Sequence, residues 1–95
     1  MFVMLLNYIK PLEEVDRVLP DHIPFLQKYF DEGKFICAGR QNPRVGGVII
    51  CKAVDRAEAE AIAAEDPFSI EKVAEYNIIE FDSSRCAKGL EALLG

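Results

Sequence analysis

The stretch from Gly46 to Pro67, GGVIICKAVDRAEAEAIAAEDP, decides how this chain is read. Gly46-Gly47 leads into an apolar, β-branched run from Val48 to Ala53, which fits a strand. Asp55-Arg56-Ala57-Glu58 then has the form of a capping box. Asp55 can accept from the third amide of a helix, and Glu58 can reach back to the Asp55 N–H. Ala57, Ala61, Ile62 and Ala64 give the predicted helix its apolar side. Asp66-Pro67 stops it, because the residue before a proline avoids helical angles.

Working outward toward the N-terminus, Gly39 to Val45 holds Gly, Asn and Pro and reads as a loop. Phe35 to Ala38 before it reads as a short strand. Earlier still, Pro11 opens a segment in which Leu12, Val15, Val18 and Leu19 fall at helical spacing. Proline is tolerated in the first turn of a helix, where its missing N–H had no partner. The main helix is therefore predicted to start near Pro20 and run to about Glu32, with Phe25, Leu26, Tyr29 and Phe30 as its apolar stripe and Gly33 as its stop. The spacing leaves open whether the two helical pieces are continuous. Phe2 to Ile9 is apolar almost throughout, as a doubly buried strand would be.

Toward the C-terminus, Phe68 to Val73 reads as a connecting turn and Ala74 to Phe81 as the last strand. Ser84 is expected to cap a short helix carrying Leu90, Leu93 and Leu94. The resulting order is β-α-β-β-α-β. It predicts an α+β, ferredoxin-like fold: a four-stranded antiparallel sheet with two helices on one face. Residues 1–95 are expected to form a single domain.

The strands carry apolar residues on both faces. Phe2, Met4, Leu6 and Tyr8 oppose Val3, Leu5 and Ile9, Val48 and Ile50 oppose Ile49, Cys51 and Ala53, and Tyr76 and Ile78 oppose Ile79 and Phe81. Two helices cover only one face. The other would be an unusually large bare apolar patch for a monomer. The expected remedy is a homodimer packed sheet to sheet, whose faces would enclose a cavity for a small-molecule ligand.

Composition removes several function classes. The formal charge of -5, with its basic residues scattered, argues against partners that need clustered positive charge, so no nucleic acid and no membrane surface is expected. The apolar N-terminus has no basic flank and is too short to span a bilayer. Cys37, Cys51 and Cys86 are odd in number, with no C-x-x-C spacing. They read as reduced thiols of a cytoplasmic protein. No H-E-x-x-H, phosphate-binding glycine loop or nucleophile elbow occurs, so no metal site and no cofactor is expected.

Three side chains remain as candidates for chemistry. His22 is the only histidine. Its ordinary pKa suits a proton shuttle, and its predicted place in a first helical turn would favour anions. A lone histidine is more often a surface or satisfied core residue. Asp66 reads first as a helix-stop and turn residue. It could also hold an imidazole in one tautomer and support its cation. Arg40, after Gly39, is by default a solvated arginine. In a pocket wall it could clamp a ligand carboxylate.

Leu19-Pro20-Asp21-His22, Phe25-Leu26, Asp31 to Phe35, Ala38-Gly39, Gly46-Gly47 and Glu65-Asp66-Pro67-Phe68 together resemble the YciI-like (YCII-related) family, from the first strand to about Phe81. The resemblance implies a dimeric α+β barrel and a site built on His22 and Asp66; Gly39, Arg40 and Phe68 are the expected substrate-binding residues. A related enzyme type removes chloride from a chlorinated hydroxyquinol, and muconolactone isomerases share the wider superfamily. Both move protons on small ring compounds without a cofactor. Gly39-Arg40 stands here where the family often has Gly-Pro, which changes the expected ligand charge. The expected function is therefore a cofactor-free lyase or isomerase acting on a small, anionic organic molecule. The alternative is a non-catalytic dimeric module that binds a small metabolite.

Overall fold

The computed structural model describes residues 1–94. Residue 95 of the expected domain lies outside them. Alternation along β1 (Phe2–Tyr8) sets the two sides of the sheet: Phe2, Met4 and Leu6 are buried, while Val3 and Leu5 between them are half-buried. β1 pairs antiparallel with β3 (Gly46–Cys51) on one side and β4 (Ala74–Glu80) on the other, and β2 (Phe35–Arg40) pairs antiparallel with β3. The strand order is β2-β3-β1-β4. With α1 (Leu12–Asp31) and α2 (Arg56–Glu65) as the crossovers, this is the ferredoxin-like β-α-β-β-α-β arrangement.

Gly46 has a physical reason. A Cβ there would lie 1.8 Å from the Leu6 carbonyl oxygen, so only glycine permits the close approach of β3 to β1. Asp55 caps α2 as expected, accepting from the Glu58 N–H at 2.9 Å. The reciprocal half is displaced by one residue. The Glu58 carboxylate accepts from the Val54 N–H at 3.2 Å, and Lys34 Nζ lies 2.7 Å from it.

Several expectations need correction. α1 is one continuous helix from Leu12, with Pro20 and Pro24 inside it. Each proline removes one backbone hydrogen bond. The buried series Val15, Val18, His22, Phe25 and Tyr29 nonetheless runs unbroken at spacings of three and four, so packing on the sheet carries the helix across both. His22 is consequently mid-helix, and the free amides of a helix start do not reach it. In α2 the buried residues are Ala59, Ile62 and Ala63, whereas Ala57, Ala61 and Ala64 face solvent. Alanine on every side of the helix blurs its pattern, and Ile62 is the residue that fixes the face. Pro67–Ile70, read as a turn, forms a one-turn helix, α3. The expected helix after Ser84 is absent. Only a 3-10 turn at Glu91–Leu93 forms, with Leu90 and Leu94 exposed.

Within the single chain, a cavity opens between α1 and the sheet. No helix among the described residues is long and apolar enough to cross a membrane.

Candidate functional site

The cavity follows from the sequence of α1. Its sheet-facing stripe buries His22 and Phe25, and the flanking Leu19, Ile23, Leu26 and Phe30 lean over the β2–β3 side of the sheet. Leu6, Tyr8, Ala38 and Ile49 form the floor. The space is about 250 Å³, and Ile23 and Phe30 on its wall are exposed to solvent. His22, Phe68, Gly39 and Arg40 line it.

Asp66 does not line the pocket. It is fully buried behind His22. His22 Nδ1 lies 2.7 Å from Asp66 Oδ1. The Asp66-Pro67-Phe68 segment explains how this is held. Asp66 ends α2 and caps α3, accepting from the Phe68 N–H at 2.9 Å, with Pro67 at the first helical position. The Phe68 ring then stacks on the imidazole of His22, centroids 4.0 Å apart and planes within 8°. One residue therefore fixes both partners of the pair.

A third group completes the cluster. The Tyr76 hydroxyl bonds to Asp66 Oδ2. Burial, then the Asp66 carboxylate, push the Tyr76 phenol well above its ordinary range. It stays protonated and donates. Asp66 thus accepts from Phe68 N–H and Tyr76 O–H, which makes it an acceptor toward His22 as well. An ionised carboxylate has no proton to give, so toward it Nδ1 donates, and Nε2 is the nitrogen left to the pocket. A buried carboxylate is costly unless its oxygens are bonded, and three donors meet that requirement here.

The five residues singled out from the sequence are thus placed together, His22, Gly39, Arg40 and Phe68 on the pocket wall and Asp66 behind it. Tyr76 was missed. Its signal was available: Tyr76 pairs with Leu6 across the sheet and so faces the helices, where a tyrosine hydroxyl needs a partner. The apolar wall of Leu19, Ile23, Leu26 and Phe30 was missed for a different reason: such residues at helical spacing read only as core.

The Cys51 thiol is buried on the same side of the sheet, and burial pushes it up to about 11. No group of three or more His, Cys, Asp and Glu that could hold a metal occurs among the described residues.

No curated protein sequence matches the chain. Among solved structures it is similar to the 5-chloro-2-hydroxyhydroquinone dehydrochlorinase of Burkholderia phenoliruptrix in complex with 2,5-dihydroxybenzoquinone, with 15% identity, a TM-score of 0.71, and coverage of 85% of this chain and 93% of that one. At that identity the likeness establishes the fold. The family model of the YCII-related domain matches residues 1–82, and the chain belongs to that family.

Proposed function

We propose that this protein is a cofactor-free enzyme of lyase or isomerase type that uses His22 and Asp66 to move a proton on a small, anionic organic molecule. The observation that carries the reading is the 2.7 Å contact between His22 Nδ1 and Asp66 Oδ1 in a wall of the pocket. It leaves Nε2 as the free base. Nε2 takes a proton from a substrate carbon, and the electrons of that C–H bond form a new double bond. A leaving group departs with its electron pair in a lyase reaction. In an isomerisation the imidazolium returns the proton at another atom. Asp66 supports the imidazolium throughout, and Tyr76 holds Asp66. Arg40 and Gly39 meet the anionic end of the ligand, and Phe68 fixes the ring of His22. The fold shared with a dehydrochlorinase, itself a lyase-type enzyme, supports the same class.

The working form in this reading is a homodimer joined through the open sheet face, where Val3, Leu5, Val48 and Ile50 are only half covered. Three free cysteines support a cytoplasmic location. The charge of -5 speaks against nucleic acid as a partner.

The test is carbon-bound proton exchange in D₂O, followed by NMR, across a panel of small ring acids, lactones and hydroxyquinones. The wild-type chain should exchange or convert at least one compound, and His22→Ala should reduce that rate on the order of 10²–10⁴-fold. Asp66→Asn should impair it too. A compound that binds equally well to both proteins and reacts in neither supports the binding-module alternative instead.

A further inference from the structure

The pocket holds few polar side chains. Among its lining residues only Tyr8, His22 and Arg40 carry one. The proposed reaction uses His22 as the base and Arg40 for the anionic end of the ligand. Tyr8, the last residue of β1, has no part in it so far. Its parity with Leu6 turns the side chain toward the helices, where it packs against the core.

The Tyr8 hydroxyl differs from the others. The chain has three tyrosines: Tyr29 donates to Glu65 and Tyr76 to Asp66, whereas nothing among the described residues accepts from Tyr8. What meets its oxygen is a donor. The Tyr8 backbone N–H bonds to the Val45 carbonyl at 2.9 Å, which draws the β2–β3 connection alongside. There Arg44 is held by Asp16, Nη2 to Oδ1 at 2.5 Å, with its guanidinium 5.9 Å from the centroid of the Tyr8 ring. Hydrogen bonds to Asp16 chiefly, and to Tyr8 as well, favour its charged form. A guanidinium has no acceptor, so the phenol oxygen accepts and its own hydrogen stays free. A free hydroxyl hydrogen on a pocket wall calls for an acceptor on the ligand. Tyr8 is also fixed relative to His22. The Phe68 ring stacks on the imidazole, centroids 4.0 Å apart, and meets the Tyr8 ring at 84°, centroids 6.2 Å apart.

We propose that Tyr8 is a catalytic residue, the donor to an oxyanion that forms as His22 takes its proton, and that the substrates are carbonyl compounds deprotonated beside the carbonyl. This rests on the reading of His22 as the base, and it adds a residue and the substrate's chemical class. Nε2 takes the proton, the C–H pair becomes a carbon–carbon double bond, and the carbonyl π pair moves to oxygen. Tyr8 keeps its proton and donates a hydrogen bond to that oxygen. A donor already aimed where charge develops needs no reorganisation during the step. The pair then returns from oxygen as Nε2 delivers the proton to another carbon, or as a leaving group departs with its electrons.

The experiment uses 4-nitrophenolate as a stand-in for the oxyanion and nitrobenzene as the same body without it. Each is titrated against the full chain in mildly alkaline buffer, followed by the phenolate absorption band and by the His22 ring signals in NMR. Both probes should shift the His22 signals. The phenolate should bind at least tenfold tighter than nitrobenzene, with its band moved to shorter wavelength by the hydrogen bond. Tyr8→Phe keeps the ring and its contact with Phe68. It should cost the phenolate roughly tenfold or more in affinity, the scale of a hydrogen bond to a charged group, abolish the band shift, and leave nitrobenzene within twofold. Equal binding of the two probes to the wild-type chain, or a phenolate affinity and band unchanged in Tyr8→Phe, overturns the donor role. If the probes still shift the His22 signals in that case, the pocket reading survives and only the part of Tyr8 is lost. If neither probe shifts them, both readings fall.

Discussion

The two faces of the sheet are made from alternate residues of the same strands, yet they meet different surroundings. On the helix side, Phe2, Met4, Ile49 and Cys51 are almost wholly buried, and the His22–Asp66–Tyr76 cluster sits in this packed layer. On the other side, cross-strand register places Val3, Ile50, Ile79 and Cys37 next to one another. Ile79 is 45% exposed and Cys37 is exposed. Both faces are apolar in sequence, so hydrophobicity does not separate them. What separates them is the buried polar network, which is tolerated only because each member bonds another.

The largest effect should come from breaking that network. Asp66→Ala leaves the His22 Nδ1–H, the Phe68 N–H and the Tyr76 hydroxyl without their acceptor. The expected loss is about 3–5 kcal/mol of unfolding free energy in urea titration, since each buried group left unpaired costs about 1–3 kcal/mol. A loss below about 1 kcal/mol means that water replaces the carboxylate and the cluster is not tightly packed.

Paired truncations on β1 compare the faces directly. Met4→Ala, on the helix side, should cost about 2–5 kcal/mol. Leu5→Ala, its neighbour on the open face, should cost a similar amount if a second copy covers that face, as we propose. A value near zero for Leu5→Ala breaks the dimer reading. Ile50→Asp should convert the dimer into a monomer in light scattering. Cys37, opposite Ile50, should then change from protected to reactive toward a thiol reagent near pH 8. Cys51, raised to about 11 by burial, should stay unreactive in both forms.

The smallest effect is expected at the surface. The Tyr29 hydroxyl, then the Lys28 ammonium, hold the Glu65 carboxyl below its ordinary value of 4.5. A depressed folded value means stability that is present above pH 4.5 and lost as pH falls through the folded value. The group is largely solvated, so Glu65→Gln should cost below about 1 kcal/mol at pH 7. The difference between the two proteins should vanish under strongly acid conditions. A difference that persists there places its origin in packing against Tyr29 instead of charge.

The order of the elements along the chain was legible in the sequence, because apolar runs and the Asp55 cap are local signals. The continuity of α1 was not. Local rules read Pro20 as a helix start, whereas the buried series from Val15 to Tyr29 outweighs two missing hydrogen bonds. That misreading also put His22 at a helix end. The pairing of His22 with Asp66 spans 44 positions, and no local pattern encodes it; only the family resemblance brought the two together. Tyr76 was legible from strand parity alone.

The central claim is that His22 presents Nε2 to the pocket as a free base while Nδ1–H is held by Asp66. Nitrogen-15 NMR of the imidazole tests it without any substrate. In the neutral ring, Nδ1 should carry a slowly exchanging proton and Nε2 the chemical shift of an unprotonated nitrogen, and Asp66→Asn should disturb this assignment. A ring found with its proton on Nε2 and Nδ1 bare contradicts the account.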